Sequence, residues 1–268
     1  MMEEATAQLL ETVRAAAAVR RALCIRAGGT KDFYGNAPDG EIIDPRAASG
    51  VVAYDPSELV ITAGAGTPLG EREALLESHG QMLAFEPPHF GSGATLGGCV
   101  AAGLGGPRCA SAGAARGAVR DAVLGARLID GRARLLRFGG TVIKNVAGYD
   151  VSRVLAGSLG ILGVIIELSL KVMPRPGCEV TRRFECGEVS AIGYMNDWAR
   201  EPLPLSASAW SGGELTVRLS GSRAAVAAAG ARLGGEELDA RAADRFWSQL
   251  REQRAAFFSG DTPLWRFS

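Results

Sequence analysis

Arg26-Ala27-Gly28-Gly29-Thr30-Lys31-Asp32-Phe33-Tyr34-Gly35 comes directly after a short apolar run, and the reading of its paired glycines decides the fold. Backbone amides converge on an anion most easily where no Cβ intervenes, so a glycine pair after a strand is a possible phosphate cradle as well as an ordinary turn. Two further loops share the pattern. Thr95-Leu96-Gly97-Gly98 opens a small-residue helix that Thr95 is placed to cap, and Gly157-Ser158-Leu159-Gly160-Ile161-Leu162-Gly163 precedes the clearest strand of the chain. Three such loops in one region point to a nucleotide-type cofactor, while close packing and tight turns explain many of the individual glycines.

Working outward, residues 3 to 22 predict a helix with Leu9, Leu10, Val13, Ala16 and Ala17 on one face. Leu23 to Arg26, Ile42-Ile43, Val51 to Tyr54, Leu59 to Thr62 and Met82 to Phe85 read as short strands. Thr67-Pro68 supplies a capping hydroxyl and a first-turn proline for a helix ending near His79-Gly80. Val119 to Ile129 and Leu135 to Phe138 form a hairpin around Asp130-Gly131, whose glycine would take the positive φ. From Val164 to Met173, Ile166, Leu168, Leu170 and Val172 alternate with Glu167, Ser169 and Lys171, which predicts one buried and one wet face.

Pro174 and Pro176 mark a boundary, giving a first domain at 1–176 and a second at 177–268. In the second, Leu205 to Trp210 and Leu215 to Leu219 pair across Ser211-Gly212-Gly213, and helices follow near 222–233 and 236–258. Pro263 to Ser268 reads as a strand just beginning, so the expectation is a partial α+β cap lacking its natural C-terminal segment.

The charge balance, 29 basic against 29 acidic residues, gives no field to attract nucleic acid or an anionic bilayer. Glycine reaches 36 of 268 residues, close to twice ordinary usage, which agrees with a chain built around loops. Five cysteines show no C-x-x-C or C-x-x-H, so no metal site or iron–sulfur cluster assembles from adjacent ligands. The Met-Met-Glu-Glu start shows no signal pattern and no run is apolar enough to span a bilayer; the expectation is a cytoplasmic chain whose association with the inner membrane, if any, runs through partners.

Catalytic side chains are sparse. His79 reads as a helix-end residue and His89 sits in a proline-rich loop as an active-site candidate; no G-x-S-x-G elbow occurs. Redox chemistry would have to come from a cofactor, and the catalytic residues stay unknown. A rival reading takes Leu59 to Thr62, Gly64-Ala65-Gly66, a helix, Met82 to Phe85 and Glu86 as a nicotinamide-binding βαβ unit, although Leu69 stands where the third glycine belongs and Pro68 removes an amide.

From Arg26 to Pro176 the chain resembles the FAD-binding domain (PCMH type) shared by vanillyl-alcohol oxidase, D-lactate dehydrogenase and glycolate oxidase flavoproteins. The matching segments are Arg26 to Thr30, Pro88 with Ala94 to Gly98, Gly117-Ala118-Val119-Arg120-Asp121, Lys144-Asn145-Val146-Ala147-Gly148-Tyr149-Asp150, and Gly157 to Ile165. Phe85-Glu86-Pro87-Pro88-His89-Phe90-Gly91 and Lys144 to Arg153 are most similar to the FAD-binding subunit of bacterial glycolate oxidase.

The resemblance implies an α+β fold with FAD between two subdomains. Gly28, Gly29, Thr30, Lys31, Asp32 and Phe33 would hold the pyrophosphate; Pro88 with Ala94, Thr95, Gly97 and Gly98 would form the second pyrophosphate loop, Thr95, Gly97 and Gly98 approaching the flavin end; Gly117 and Val119 belong to the segment that follows it; Gly160 falls in the late signature beside the isoalloxazine and adenine, and Gly163 and Val164 would flank the adenine. Thr30 stands where covalent members often carry histidine, which implies non-covalent FAD. Leu159 replaces a glutamate common in catalytic relatives, and residues 177–268 contain no histidine. The family context therefore implies a subunit of a glycolate or 2-hydroxy-acid oxidoreductase whose partners are a larger catalytic flavoprotein and an iron–sulfur subunit. A scaffold subunit with a degenerate flavin site is the alternative within that family.

Overall fold

The computed structural model describes residues 2–110, 117–141, 150–260 and 263–265, with no side chains described at 109 and 110. The chain divides into two compact units, Met1–Leu104 with Ala118–Arg175, and Gly105–Gly117 with Pro176–Ser268. Both mix helices with antiparallel sheet, as an α+β chain should. No helix among the described residues is long and apolar enough to cross a membrane.

The first unit opens with α1 (Met2–Ala18), which buries Leu9, Val13 and Ala16 along one face. A parallel pair follows, β1 (Leu23–Ile25) with β2 (Glu41–Ile43). Next come β3 (Val51–Asp55), β4 (Val60–Gly64), α2 (Leu69–Ser78), β5 (Gln81–Leu83) and α3 (Leu96–Ala102). After the excursion into the second unit the chain returns as α4 (Val119–Ala122), β6 (Val123–Ile129), β7 (Leu135–Gly139), α5 (Val151–Val154) and β8 (Val164–Pro174). The sheet order is β3-β4-β8-β6-β7, with β5 pairing the far end of β8.

β8 is the axis of this unit, flanked by β4 from Val60↔Lys171 to Gly64↔Glu167 and by β6 from Val123↔Leu170 to Ile129↔Val164. Leu168, Leu170 and Val172 join Leu69, Leu76, Phe85, Leu96 and Val100 in the main core, and Val164 and Ile166 join Leu9, Val13 and Ile43 in a second core. Each fully buried aliphatic side chain here contributes about 2 kcal/mol of transfer free energy.

The expected wet face of β8 is mostly covered, only Lys171 of its three polar residues being partly exposed. Glu167 and Ser169 are 7% and 6% exposed. Because strands flank β8 on both sides, cross-strand partners replace water: Ser169 Oγ lies 2.8 Å from Thr62 Oγ1, and Arg127 Nη1 lies 3.5 Å from Glu167 Oε2.

Three local expectations need similar correction. Thr67 does not cap α2; Pro68 occupies the cap, while Thr67 Oγ1 donates to Gly64 O at 2.7 Å and accepts from Gly50 N at 2.9 Å, tying two turns together. Residues 119–122 form the helical turn α4 rather than strand. The hairpin β6–β7 exists and turns at Asp130, where Ala133 N donates to Asp130 O and the Asp130 carboxylate accepts from Arg132 N and Arg134 N, but the positive φ, 56°, falls on Ala133 and not on Gly131.

The nicotinamide rival also fails on geometry, since β4 and β5 pair with β8 antiparallel and not with each other. A Cβ on Gly64 or Gly66 would stand 2.4 Å from Ala48 O or Arg46 O, so those glycines serve packing.

The second unit holds β9 (Cys178–Glu185), α6 (Glu188–Ala199), β10 (Leu205–Ser211), β11 (Glu214–Gly221), α7 (Arg223–Leu233), β12 (Glu236–Glu237) and α8 (Ala240–Arg251). Its sheet runs β10-β11-β9-β12, antiparallel throughout. α6 buries Ala191 against Leu215 and Val217, and α7 buries Val226 and Ala229 against Leu219. The expected helix over 236–258 is shorter, because Glu236 and Glu237 pair with β9 as β12, Asp239 caps α8 by accepting from Ala242 N at 2.9 Å, and the chain turns at Gln253 with φ 52° after α8 ends. Arg108 pairs with Glu179 of β9, 2.8 Å away. Residues 263–265 adopt no strand, and the rest of that expected strand lies outside the described residues.

Candidate functional site

A cavity of about 470 Å³ opens in the first unit. One wall is the segment from Leu23 through Asp32, a second includes Gly93, Thr95, Gly97, Gly98, Ala101 and Ala102, and a third includes Leu159, Gly160, Ile161, Gly163 and Ile165. The three glycine loops, far apart in sequence, meet around one space.

The first loop is built to present donors. Arg26 N is consumed by Ile43 O at 3.0 Å and Asp32 N by Gly29 O at 3.4 Å, while among the described residues the amides of Ala27, Gly28, Gly29 and Thr30 have no protein acceptor. Gly29 turns the chain at φ 66°, the alternation that lets consecutive amides form an anion-binding concavity. Gly28 is needed for another reason. A Cβ there would sit 1.6 Å from Gly93 O, so the first and second loops touch through backbone alone.

The second loop behaves differently. Thr95 caps α3 as expected, accepting from Gly98 N, but Leu96 N donates to Thr67 O and Gly97 N to Ala65 O. Its amides are therefore spent inside the protein, and Gly97 and Gly98 contribute surface rather than donors. In the third loop Gly157, Ser158, Leu159, Ile161 and Gly163 donate to protein carbonyls, and among the described residues only the Gly160 and Leu162 amides lack an acceptor.

Charge in the cavity is balanced but unevenly committed. Arg26 Nε pairs with Asp32 Oδ2 at 2.6 Å, with both side chains nearly half exposed, so the pair itself adds little stability. Lys31 Nζ donates to His89 O at 3.3 Å and Thr30 Oγ1 at 3.4 Å and lies 5.5 Å from the Phe90 ring centre. The floor is apolar, formed by Ile25, Ala101 and Ile165, and the exposed side chains of Leu159 and Ile161 also line the cavity. A row of unpaired amides beside an ammonium fits a diphosphate, and an apolar floor fits a flat ring system.

Of the residues expected from sequence, Gly28, Gly29, Thr30, Lys31, Asp32, Thr95, Gly97, Gly98, Gly160 and Gly163 lie in the lining. Phe33 does not; it is 64% exposed and meets Phe90 edge-on at 5.0 Å. Pro88 is buried outside the lining, Ala94 and Val119 belong to the core, Val164 is locked in β8 opposite Ile129, and Gly117 falls in the second unit. Lys144 to Tyr149 lie outside the described residues. Sequence reasoning missed the apolar floor because it searched for donors; the small-residue pair Ala101-Ala102 in a seven-residue helix was the available signal.

His79 is a helix-end group as expected, with Nδ1 near Leu75 O and Ser78 Oγ. His89 Nε2 donates to Glu73 Oε2 at 2.9 Å. Burial pushes the Cys99 thiol up to about 12, so it stays protonated and inert. No metal-binding cluster of His, Cys, Asp and Glu occurs among the described residues. The second unit has its own cavity, about 570 Å³, between Phe184, Tyr194 and Trp198, but its arginines are engaged, Arg232 with Glu201 at 2.5 Å and Arg183 with Glu214 at 3.6 Å.

These features agree with what the chain resembles. The family described as FAD binding domain matches residues 3–139. Glycolate oxidase subunit GlcE of Escherichia coli (strain K12) is 48% identical over 260 residues, covering 97% of this chain and 72% of that protein. Glycolate oxidase subunit GlcD of Bacillus subtilis (strain 168) is 31% identical over 158 residues, 58% of this chain and 33% of that one. Among solved structures, an alkyldihydroxyacetonephosphate synthase superposes with a TM-score of 0.69 over 92% of this chain and 56% of its own, at 16% identity, a likeness of fold alone. The chain belongs to the FAD-binding domain family, as a relative of the glycolate oxidase FAD-binding subunits, and its cofactor is FAD.

Proposed function

We propose that this chain is the FAD-holding subunit of a multi-subunit enzyme that oxidises glycolate or a closely similar 2-hydroxy acid. In this reading FAD is bound non-covalently and electrons pass through it to partner subunits, a larger catalytic flavoprotein and an iron–sulfur protein. The domain at 1–176 carries the cofactor and 177–268 forms part of a cap. The assembly is cytoplasmic, and any contact with the inner membrane runs through the partners.

The observation that carries the reading is the run of acceptor-free amides at Ala27, Gly28, Gly29 and Thr30 in the wall of the cavity. FAD supplies the acceptor for the two electrons that leave the hydroxyl-bearing carbon. The chain's own residues bind and orient it. The 27–30 amides hold the diphosphate, Lys31 offsets its charge, and Ile25 and Ile165 line the apolar end. What supports non-covalent attachment is Thr30 in the lining, with neither histidine among its described residues.

Oxidising a 2-hydroxy acid also needs a base and a clamp for its carboxylate. The described lining residues supply arginine and lysine but no base of histidine type, and for this reason turnover is assigned to the assembly. Purification of the chain tests the first half: a yellow protein that releases free flavin on acid precipitation is expected, and a colourless chain that takes up no added FAD would establish the scaffold role instead. Dye reduction with glycolate tests the second half. Activity should appear only with the partners present, and rapid turnover by the isolated chain would sink the auxiliary-subunit reading.

A further inference from the structure

Lysine binds anions as a mobile point charge on a four-carbon stem, so a cavity that uses one must hold it in place. Lys31 packs against a corner of chain at His89 and Phe90. Its ammonium donates to the carbonyl of His89 and lies over the ring of the next residue, Phe90. That corner is strained: Phe90 has φ 55°, a left-handed conformation unfavourable for a bulky residue, and Gly91 follows at 139°. Something must hold the strain, and Glu73 reaches across from α2 to accept from His89 Nε2 at 2.9 Å, with both side chains more than half buried. The helix offering Glu73 is itself fixed, with Leu69 and Leu76 fully buried and Leu69 N donating to Ala94 O. Glu73 and His89 do not line the cavity. Arg26, the other cation there, is already engaged by Asp32.

We propose that the Glu73–His89 pair is a positioning clamp for Lys31, fixing the His89–Phe90 corner so that the ammonium stands where the FAD diphosphate binds. The inference rests on the flavin reading above. Glu73 acts through His89, and His89 through its carbonyl and its neighbour's ring; neither touches the cofactor.

The test is a double-mutant cycle on the full-length chain, read as the Kd for FAD from quenching of flavin fluorescence. Glu73→Ala should weaken binding roughly tenfold, the scale of a lost charge-assisted hydrogen bond. Glu73→Gln should rescue to within about threefold, because its amide oxygen still accepts from His89. Lys31→Met should weaken binding itself, and Glu73→Ala added to Lys31→Met should cost less than about twofold more, since coupled groups are non-additive. An equal loss from Glu73→Ala in both backgrounds overturns the clamp, because a general folding defect would act whether or not Lys31 is present. No loss from Glu73→Ala overturns it as well. If the unmutated chain binds no FAD, the functional reading falls and takes the clamp with it; if it binds and the cycle is additive, the clamp alone is wrong.

Discussion

At Gly28 one methyl group is enough to separate two loops, because its Cβ would lie 1.6 Å from Gly93 O, with backbone on both sides and nothing flexible to yield. Gly28→Ala should therefore cost about 2–4 kcal/mol as the loops part, and FAD affinity should fall with it, since the 27–30 amides move. Gly131→Ala is the matched control: nothing lies within 4 Å of its missing Cβ and its φ is not positive. That change should stay within about 0.5 kcal/mol. Thermal unfolding of both variants with flavin removed decides it, and a Gly28→Ala chain as stable as the control would mean that close approach to Gly93 does not require a glycine at that position. The pair also shows what is legible at this scale. Gly28-Gly29 announces a loop, but the need for Gly28 is set by Gly93, far along the chain, and no local pattern names that partner.

Strand β8 shows where period-two reasoning stops. Alternation from Ile166 to Val172 placed the strand correctly and mis-assigned its second face, because alternation reports side-chain type and not what covers each side. Glu167 and Ser169 look wet in sequence and are buried because β4 and β6 bring Thr62 and Arg127 alongside. Arg127 in turn reaches Glu3 of α1 at 2.7 Å, so one guanidinium serves an exposed carboxylate and a buried one. Removing it leaves Glu167 buried without a cation, and Arg127→Met should destabilise the chain by about 3 kcal/mol. Glu3→Gln, which leaves the buried pair intact, should barely shift Tm. Equal effects from the two variants would show that the Arg127–Glu167 contact carries no stability. The same blindness explains β9 and α6, which no sequence pattern marked: β9 mixes Thr181, Arg182 and Arg183 into a strand that pairs on both sides and buries only Thr181, and α6 buries Ala191 alone as a fully covered residue.

On the scale of the whole molecule, chain order and spatial order separate. Described residues 105–110 and 117 group with the second unit, an assignment invisible to any boundary placed from Pro174 and Pro176. The three glycine loops were legible as loops, and the family resemblance joined them into one site; that they meet around a single space is a property of the fold. Which loop still has donors was not legible, because the Leu96 and Gly97 amides are consumed by Thr67 and Ala65, partners set by tertiary structure. The described residues that line the cavity all belong to the first unit. FAD binding should therefore leave an uneven imprint on amide hydrogen exchange in the full-length chain. With ligand at about a hundred times its Kd, opening of the liganded region costs about 2.7 kcal/mol more. Exchange at Ala27 to Thr30 should slow most, because those amides gain their first acceptor, and Gly160 and Leu162 should follow. Amides already bonded within the protein, such as Gly97, should slow less, and β11 of the second unit should change least. Measuring exchange with and without FAD tests the whole arrangement: protection centred on β11, or absent from 27–30, would place the cofactor elsewhere and overturn the site.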